Sequence, residues 1–467
     1  MPYKKITPSI LQKLKNIVGT THLHTTTTKR TIYGKDKTED LIFLPEAVVL
    51  PKNTAEVSQI MQLCYQENIP VTPRGAGTGL AGGALPVCGG IVLSLERLNR
   101  ILDLDEANLQ VTTEPGVITE ILQNEVAAKG LYYPPDPASR GSSFIGGNVA
   151  TNAGGPRAVK YGVVKDYVLN LEVVLADGSI IWTGANTLKN STGYNLTQLM
   201  VGSEGTLGII TKIVLKLIPA PNHSLLMLVS FASAMNACAA VSAIFRAGIV
   251  PSCLEFMERQ AIEIAKNYLQ DETIKIKENT EAQLIIEVDG NHLDSLYEDC
   301  EKINQVLEKF DCDEVLFADD EATKNSLWKL RRNLNYAVKD YSAVKKADTV
   351  VPRATLPQLL EGIHQIGQKH GINAVNYGHA GDGNLHVTLL KEVLSEEHWN
   401  QEMPLAMQAI FELVASLKGT ISGEHGIGWI QKEYLKLVFS PIELHLMRAI
   451  KTSFDPKNIL NPNKIFS

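Results

Sequence analysis

The first 45 residues are polar and threonine-rich, with Thr25 to Thr28 in a row, and read as a short helix followed by a surface-hugging segment. From Val48 the texture changes to short apolar runs alternating with helical periods. Asn53 or Thr54 can cap a helix whose apolar positions Val57, Ile60 and Cys64 recur at helical spacing. A strand at 70–72 leads into a glycine-rich loop. Runs at 91–95, 101–104 and 110–113 predict strands, and 117–129 a helix. Residues 131–166 are rich in Gly, Pro, Ser and Asn with little periodicity, and long irregular stretches of this kind are usually functional. Segments 168–175 and 180–183, joined by Asp177-Gly178, predict a β-hairpin, and 207–218 a further strand region. Pro219-Ala-Pro221 breaks the pattern.

Beyond it, 225–231 and 284–288 predict strands and 232–247 and 293–310 helices, an α+β arrangement with an antiparallel sheet. Polar helices are expected at 320–341 and 356–369. The tail from Phe454 to Phe466 has no strong period, and no internal repeat is found. The expected division is an N-terminal segment 1–45, a glycine-rich domain 46–221, a second domain 222–453 and a tail 454–467.

Composition narrows the function. With 467 residues, 44% hydrophobic and 20% charged, the chain has material for several cores. A net charge of -7 gives no reason to expect nucleic acid as partner. The six cysteines are scattered, with no CxxC pair and none beside a histidine. That argues against a zinc ribbon or a cysteine-ligated iron–sulfur cluster in this chain and fits a reducing compartment. Neither a signal peptide nor an 18-residue apolar run is present, so a cytoplasmic protein is expected, at most peripheral at a membrane.

The densest signal in the first half is Pro73-Arg-Gly-Ala-Gly-Thr-Gly-Leu-Ala-Gly-Gly-Ala-Leu-Pro86. Gly77-x-Gly79-x-x-Gly82 formally matches a dinucleotide fingerprint, but that fold needs a helix to start at the loop. Pro86, Gly89 and Gly90 leave no room for one before the strand at Ile91. The loop still suits a phosphate, because successive glycines expose backbone N–H groups and admit an anion closely. The segments 134–155 and 201–210 are also spaced by glycines. Three such segments point to one extended cofactor.

In the second half, His379 and His386 flank Gly381-Asp-Gly-Asn384, which reads as a tight turn between short strands. Ser422-Gly-Glu-His-Gly-Ile-Gly428 adds Glu424 and His425. Two histidines and a carboxylate are a common divalent-metal set. One isolated histidine would more often be a hydrogen-bonded core residue; three in two glycine-rich motifs favour chemistry.

Together these segments resemble the FAD-binding oxidoreductases of the vanillyl-alcohol oxidase type, and within them the glycolate oxidase FAD subunit and D-lactate dehydrogenase group, with D-2-hydroxyglutarate dehydrogenase related. The resemblance runs from about residue 40 to the C-terminus. It implies an α+β fold: a two-subdomain FAD-binding domain, an antiparallel-sheet substrate or cap domain, and a C-terminal helical segment whose tail returns to the flavin. It implies that Pro73, Arg74, Gly75, Ala76, Gly77, Thr78, Gly79 and Leu80 hold the pyrophosphate. Pro135, Asp136, Ser139, Ser142, Gly146, Gly147, Asn148, Ala150, Thr151, Asn152 and Gly154 would pass the flavin ring and ribityl chain. Glu204, Gly205, Gly208, Ile209, Ile210 and, in the closing Asn-Pro-Asn-Lys motif, Asn463 would also touch the cofactor. Some relatives attach FAD to a histidine in the glycine loop; residues 73–86 contain none, so non-covalent FAD is expected.

The resemblance further implies that His379, His386 and Glu424 ligate a divalent metal, Zn or Mn, that His425 is the base, and that Arg331, Asn335 and Lys346 anchor a substrate carboxylate. Asn335 and Thr388 stand where hydroxyglutarate-oxidising relatives carry Thr and Asn, which leaves the length of the acid open. The implied reaction is oxidation of a small D-2-hydroxy acid such as D-lactate or glycolate to the 2-keto acid. The metal lowers the pKa of the hydroxyl, the imidazole takes its proton, and flavin takes the hydride. Electrons would pass to a separate iron–sulfur subunit or electron-transfer flavoprotein, and a homo-oligomer stays open. The competing functions are an oxygen-using flavin oxidase of an alcohol or sugar, and a flavoprotein subunit of an electron-transfer complex.

Overall fold

The computed structural model describes residues 2–271, 276–313, 315–318 and 320–466; Met1 and Ser467, the outermost residues of the expected end segments, lie outside them. The chain forms two compact units: Met1–Ala153, Val163–Ala220 and Glu424–Ser467 make the first, and Gly154–Gly162 with Pro221–Gly423 the second. Residues of the N-terminal segment and of 424–453 thus group with the glycine-rich unit, and 154–162 with the other.

In the first unit, Thr7 caps helix Pro8–Val18 by accepting from the Ile10 N–H, and Asn53 caps Thr54–Glu67 by accepting from the Glu56 N–H. Both helices bury their apolar stripes against a four-stranded sheet in the order Leu23–His24, Ala47–Val49, Ile91–Ser94, Val71–Arg74, whose last three strands are parallel. The tail joins this core. The Val71 N–H donates to Ile459 O, the Asn461 N–H donates to Val71 O, and Ile459 and Leu460 are fully buried. Each such side chain stabilises the tail by about 1.5–3 kcal/mol. A second, antiparallel sheet runs Ile101–Asp105, Gln110–Thr113, Ile209–Lys216, Val168–Val174, Ile180–Trp182. The expected hairpin closes at Asp177-Gly178 and docks on the 54–67 helix, where Ser58 Oγ donates to Gly178 O at 2.6 Å.

The stretch 131–166 is less irregular than its composition suggests. Helices Ile145–Thr151 and Ala158–Tyr161 form within it. Gly146 and Gly147 weaken helix propensity, but tertiary packing overrides it: a Cβ on Gly146 would lie 2.4 Å from Pro115 Cβ.

The second unit is a seven-stranded antiparallel sheet of β1 (His223–Phe231), β2 (Cys253–Glu258), β3 (Ala282–Gly290), β4 (Leu316–Ala318), β5 (Val344–Val350), β6 (Asn373–Gly378) and β7 (Asn384–Leu390). Their order is β4-β1-β3-β2-β6-β7-β5. Helices Ala234–Arg246, Arg259–Leu269, Leu293–Leu307, Glu321–Tyr341, Leu356–His370 and Glu396–Ser416 accompany the sheet. Strands β1 and β3 follow from the sequence pattern, and β6 and β7 are the short strands expected on either side of the turn at 381–384; β2, β4, β5 and the helices 259–269 and 396–416 do not follow from it. Among the described residues no helix is long and apolar enough to cross a membrane.

Candidate active site

Antiparallel register lines up the chemistry of the second unit. Met257 of β2 faces Tyr377 of β6, Tyr377 faces His386 of β7, and His386 faces Asp348 of β5. Period-two alternation puts Glu255, two residues before Met257, on the same face as this row. His379 follows β6, and one of its ring nitrogens lies within 4.8 Å of one on His386, with ring planes at 84°.

The two imidazoles are held by carboxylates. His379 Nδ1 lies 2.9 Å from both Glu255 oxygens, and Glu255 also pairs with Arg331 Nη2 at 2.6 Å. A carboxylate only accepts, so Nδ1 carries the proton and Nε2 is left as a lone-pair donor. Burial alone would raise the Glu255 carboxyl, but the Arg331 guanidinium and His379 hold it below the ordinary carboxylate range. His386 Nδ1 stands 3.4 Å from Asp348 Oδ1. Asp348 is fully buried and accepts from Asn384 Nδ2 at 2.8 Å and from the Gly423 N–H at 2.9 Å. Neither Glu255 nor Asp348 was singled out by the sequence pattern; the one trace of Glu255 is a charge inside the apolar run 253–257.

The turn between β6 and β7 is the tight one expected, a 3-10 turn at Ala380–Asp382 ending on Gly383. Gly383 has φ +76, and a Cβ there would meet Val351 O at 2.0 Å, so no other residue fits.

Of the expected anchors, Arg331 is buried with its guanidinium shared with Glu255, and its Nε has no hydrogen-bond partner among the described residues. Asn335 lies one helical turn further on and accepts from Lys346 Nζ at 2.6 Å. Lys346 faces Thr388 in register, and the Thr388 hydroxyl is buried with no partner among the described residues. These residues share the face that carries His386.

The segment 420–423 is tied to β5. Val350 and Thr420 exchange backbone hydrogen bonds at 3.0 and 2.8 Å, and the Gly423 N–H reaches Asp348 O at 3.1 Å. Glu424 is the next residue in the chain and His425 the one after; both are half-buried.

In the first unit, the loop after Val71–Arg74 runs through bends to the strand at Ile91 without a helix, so the dinucleotide fingerprint is formal only. Arg74 lies across Gly77, is buried, and has no partner for Nη1 among the described residues. Burial lowers its guanidinium from the ordinary arginine value. A buried cation with an open donor beside a glycine loop fits a diphosphate. A Cβ on Gly75 would lie 3.7 Å from Gly147 Cα, whereas one on Gly79 or on Gly147 would meet nothing within 4 Å among the described residues. Ala76, Thr78 and Leu80 are half-buried along the same loop, and Pro73 lies within its strand.

Other expected cofactor residues serve the scaffold through their side chains. Asn148 Nδ2 donates to Thr119 Oγ1, Thr151 Oγ1 to Gly147 O, and Asn152 Oδ1 accepts from the Lys165 N–H. Asp136 pairs with Arg140, Pro135 O accepts from Gln123, and Ser139 O accepts from Ser142 Oγ. Ala150 O accepts from the Glu204 N–H. A Cβ on Gly205 would strike Pro73, and one on Gly208 would strike Val173. Ile209 and Ile210 are buried in the long strand, and Gly154 falls in the second unit. In the closing motif Asn463 is exposed, bonded to Lys432, while Asn461 donates to Gly83 O and Glu204 O and Lys464 donates to Leu85 O. Burial presses Lys464 down to about 8.

Gly79 gives a clean test. Its φ lies outside the left-handed range and its Cβ direction is open, so Gly79→Val leaves the fold intact. The side chain fills space that a diphosphate would need. The variant is expected to purify folded, by circular dichroism, but colourless; a yellow Gly79→Val with full FAD would remove this loop from the cofactor site.

Known proteins resemble the chain over almost its whole length. Residues 45–184 match a family described as FAD binding domain, and 220–465 one described as FAD linked oxidases, C-terminal domain. The chain is 39% identical over 463 residues to glycolate oxidase subunit GlcD of Bacillus subtilis, covering 99% of this chain and 97% of the relative. It is 37% identical over 476 residues to a D-lactate dehydrogenase of Anaerostipes hadrus, covering 99% and 98%. Among solved structures, p-cresol methylhydroxylase with substrate bound superposes with a TM-score of 0.83 over 99% of this chain and 98% of that one at 17% identity, a likeness of fold.

Proposed function

The chain belongs to the FAD-linked oxidase family and is an FAD-linked oxidoreductase of the vanillyl-alcohol oxidase type, and from that membership we propose that it oxidises a small D-2-hydroxy acid, D-lactate or glycolate, to the 2-keto acid. The observation that carries this reading is the pair His379 and His386, close together, each with a buried carboxylate at Nδ1. Such a pair suits a divalent metal, Zn or Mn, and Glu424 is read as its third ligand. The metal, when bound, supplies Lewis acidity at the substrate hydroxyl, and FAD accepts the hydride.

The chain's own residues do the rest. His425 takes the hydroxyl proton. Arg331, Asn335, Lys346 and Thr388 hold and orient the substrate: Arg331 keeps an unpartnered Nε, Thr388 an unpartnered hydroxyl, and Lys346 brings a cation for the carboxylate. One hydroxy acid gives one keto acid, one proton to His425 and one hydride to flavin, so two electrons leave in each turnover. FAD is bound non-covalently, because the loop 73–86 offers no histidine.

The reduced flavin is emptied by a separate protein, an iron–sulfur subunit or an electron-transfer flavoprotein. The cysteines are scattered and no second dinucleotide fingerprint stands. One relative is itself named a subunit. The expected result is that a dichlorophenol dye supports steady turnover of the purified chain with D-lactate or glycolate, and NAD does not. Robust NAD reduction would overturn the reading. Fast hydrogen peroxide release in air would instead favour an oxygen-using oxidase.

A further inference from the structure

Glu204 lies in the Gly202–Gly208 loop, which resemblance assigns to the cofactor, yet its carboxylate is engaged elsewhere in the first unit. Its two oxygens accept the N–H groups of Ile427 and Gly428, each at 2.8 Å. Its backbone N–H donates to Ala150 O and its carbonyl accepts from Asn461 Nδ2, so the residue itself is fixed at both ends. The fit around the carboxylate is close: a Cβ on Gly426 would lie 2.9 Å from Glu204 Cδ. From the other side, the Trp429 N–H donates to Ala81 O at 2.8 Å, and a Cβ on Gly428 would lie 2.1 Å from that same oxygen. The turn that begins immediately after His425 is therefore clamped between Glu204 and the backbone of the glycine loop.

We propose that Glu204 is a positioning residue: by accepting two adjacent N–H groups it fixes the turn after His425 and so aims the imidazole, rather than touching the cofactor. The inference rests on the reading of His425 as base. A carboxylate is the side chain this geometry requires, because both N–H donors need an acceptor and a carboxylate offers one oxygen to each. An amide of the same shape would satisfy one N–H and turn its own N–H₂ against the other. The resulting shift is small, but a misplacement on the order of 1 Å at a reacting group can cost about 100-fold in rate.

The test is a double-mutant cycle on the FAD-loaded enzyme with Glu204→Gln, His425→Ala and the pair, reading anaerobic flavin reduction by whichever of D-lactate and glycolate reduces the wild type. Glu204→Gln is expected to keep its flavin content and visible spectrum and to slow reduction about 10–100-fold. In the His425→Ala background the same change should add less than about threefold, because the group it aims is already gone. An undiminished penalty in both backgrounds would overturn the inference, as would an unchanged rate for Glu204→Gln alone. Loss of FAD from Glu204→Gln would make Glu204 a cofactor contact and overturn it too. If His425→Ala alone leaves the rate unchanged, the base reading itself fails, and the route through His425 with it. Should Glu204→Gln not fold, Glu204→Asp, which keeps both acceptor oxygens one methylene short, takes its place in the cycle.

Discussion

His379→Ala, His386→Ala and Glu424→Ala are each expected to strip the divalent metal and slow substrate-driven flavin reduction, while the protein stays folded and yellow. Removing even an outer-shell partner of a metal site typically costs about 10–100-fold in affinity or activity, so loss of a ligand should cost at least about 100-fold. The fold should tolerate the changes. Without His379, Glu255 keeps its ion pair with Arg331. Without His386, Asp348 still accepts from Asn384 and from the Gly423 N–H. FAD should remain because the loop around Gly79 and Arg74 belongs to the first unit and the two histidines to the second, and because Glu424, although grouped with the first unit, is read as a metal ligand and not as a cofactor contact. Metal content by atomic emission, flavin content by absorbance and anaerobic reduction rates decide it. Chelation of the wild type should reproduce the loss, and Zn²⁺ or Mn²⁺ should restore it. Full turnover in the chelated wild type and in all three variants would end the metal reading.

Helices with a single buried face were legible in the sequence. The 54–67 helix shows its stripe because one side is wet, and Asn53 marks its start. Strand β2 was not, because all six of its residues are buried and no polar alternation survives. Strand β5 was hidden for the opposite reason: Lys346 and Asp348 are polar, yet face the row that carries His386 rather than open water. The short helix at 145–151 contradicts its own glycines, of which Gly146 is there for close packing on Pro115.

The candidate site was half legible on the same grounds. The His379, His386, Glu424 and His425 motifs stand out because small residues crowd around few polar ones. The glycine loop stands out likewise, and Arg74 within it turns out to carry an open buried donor. Glu255 and Asp348 carry no local spacing signal; β2 must pair with β6 before Glu255 reaches His379, and β5 with β7 before Asp348 reaches His386. Asn461 and Lys464 were overshadowed by Asn463 in a motif where one residue of four faces solvent, and four letters cannot say which.

His425→Ala and His425→Asn are expected to slow anaerobic flavin reduction by about 10²–10⁴-fold, the usual cost of losing a general base. Asn tests the chemistry apart from the space, since it fills much of the ring's volume and hydrogen-bonds but does not accept a proton near neutral pH. Neither change should loosen the turn, because Ile427 and Gly428 hold it to Glu204 through their backbone N–H groups, which no side-chain change at 425 removes. Substrate affinity should change little if Arg331, Lys346 and Thr388 supply the grip, so the loss should fall on the reduction step and not on the substrate concentration that half-saturates it. Stopped-flow mixing without oxygen, over a range of substrate concentrations, separates the two. A reduction rate equal to the wild type in both variants would take His425 out of the mechanism. A weakened half-saturation with an unchanged limiting rate would make it a binding residue instead.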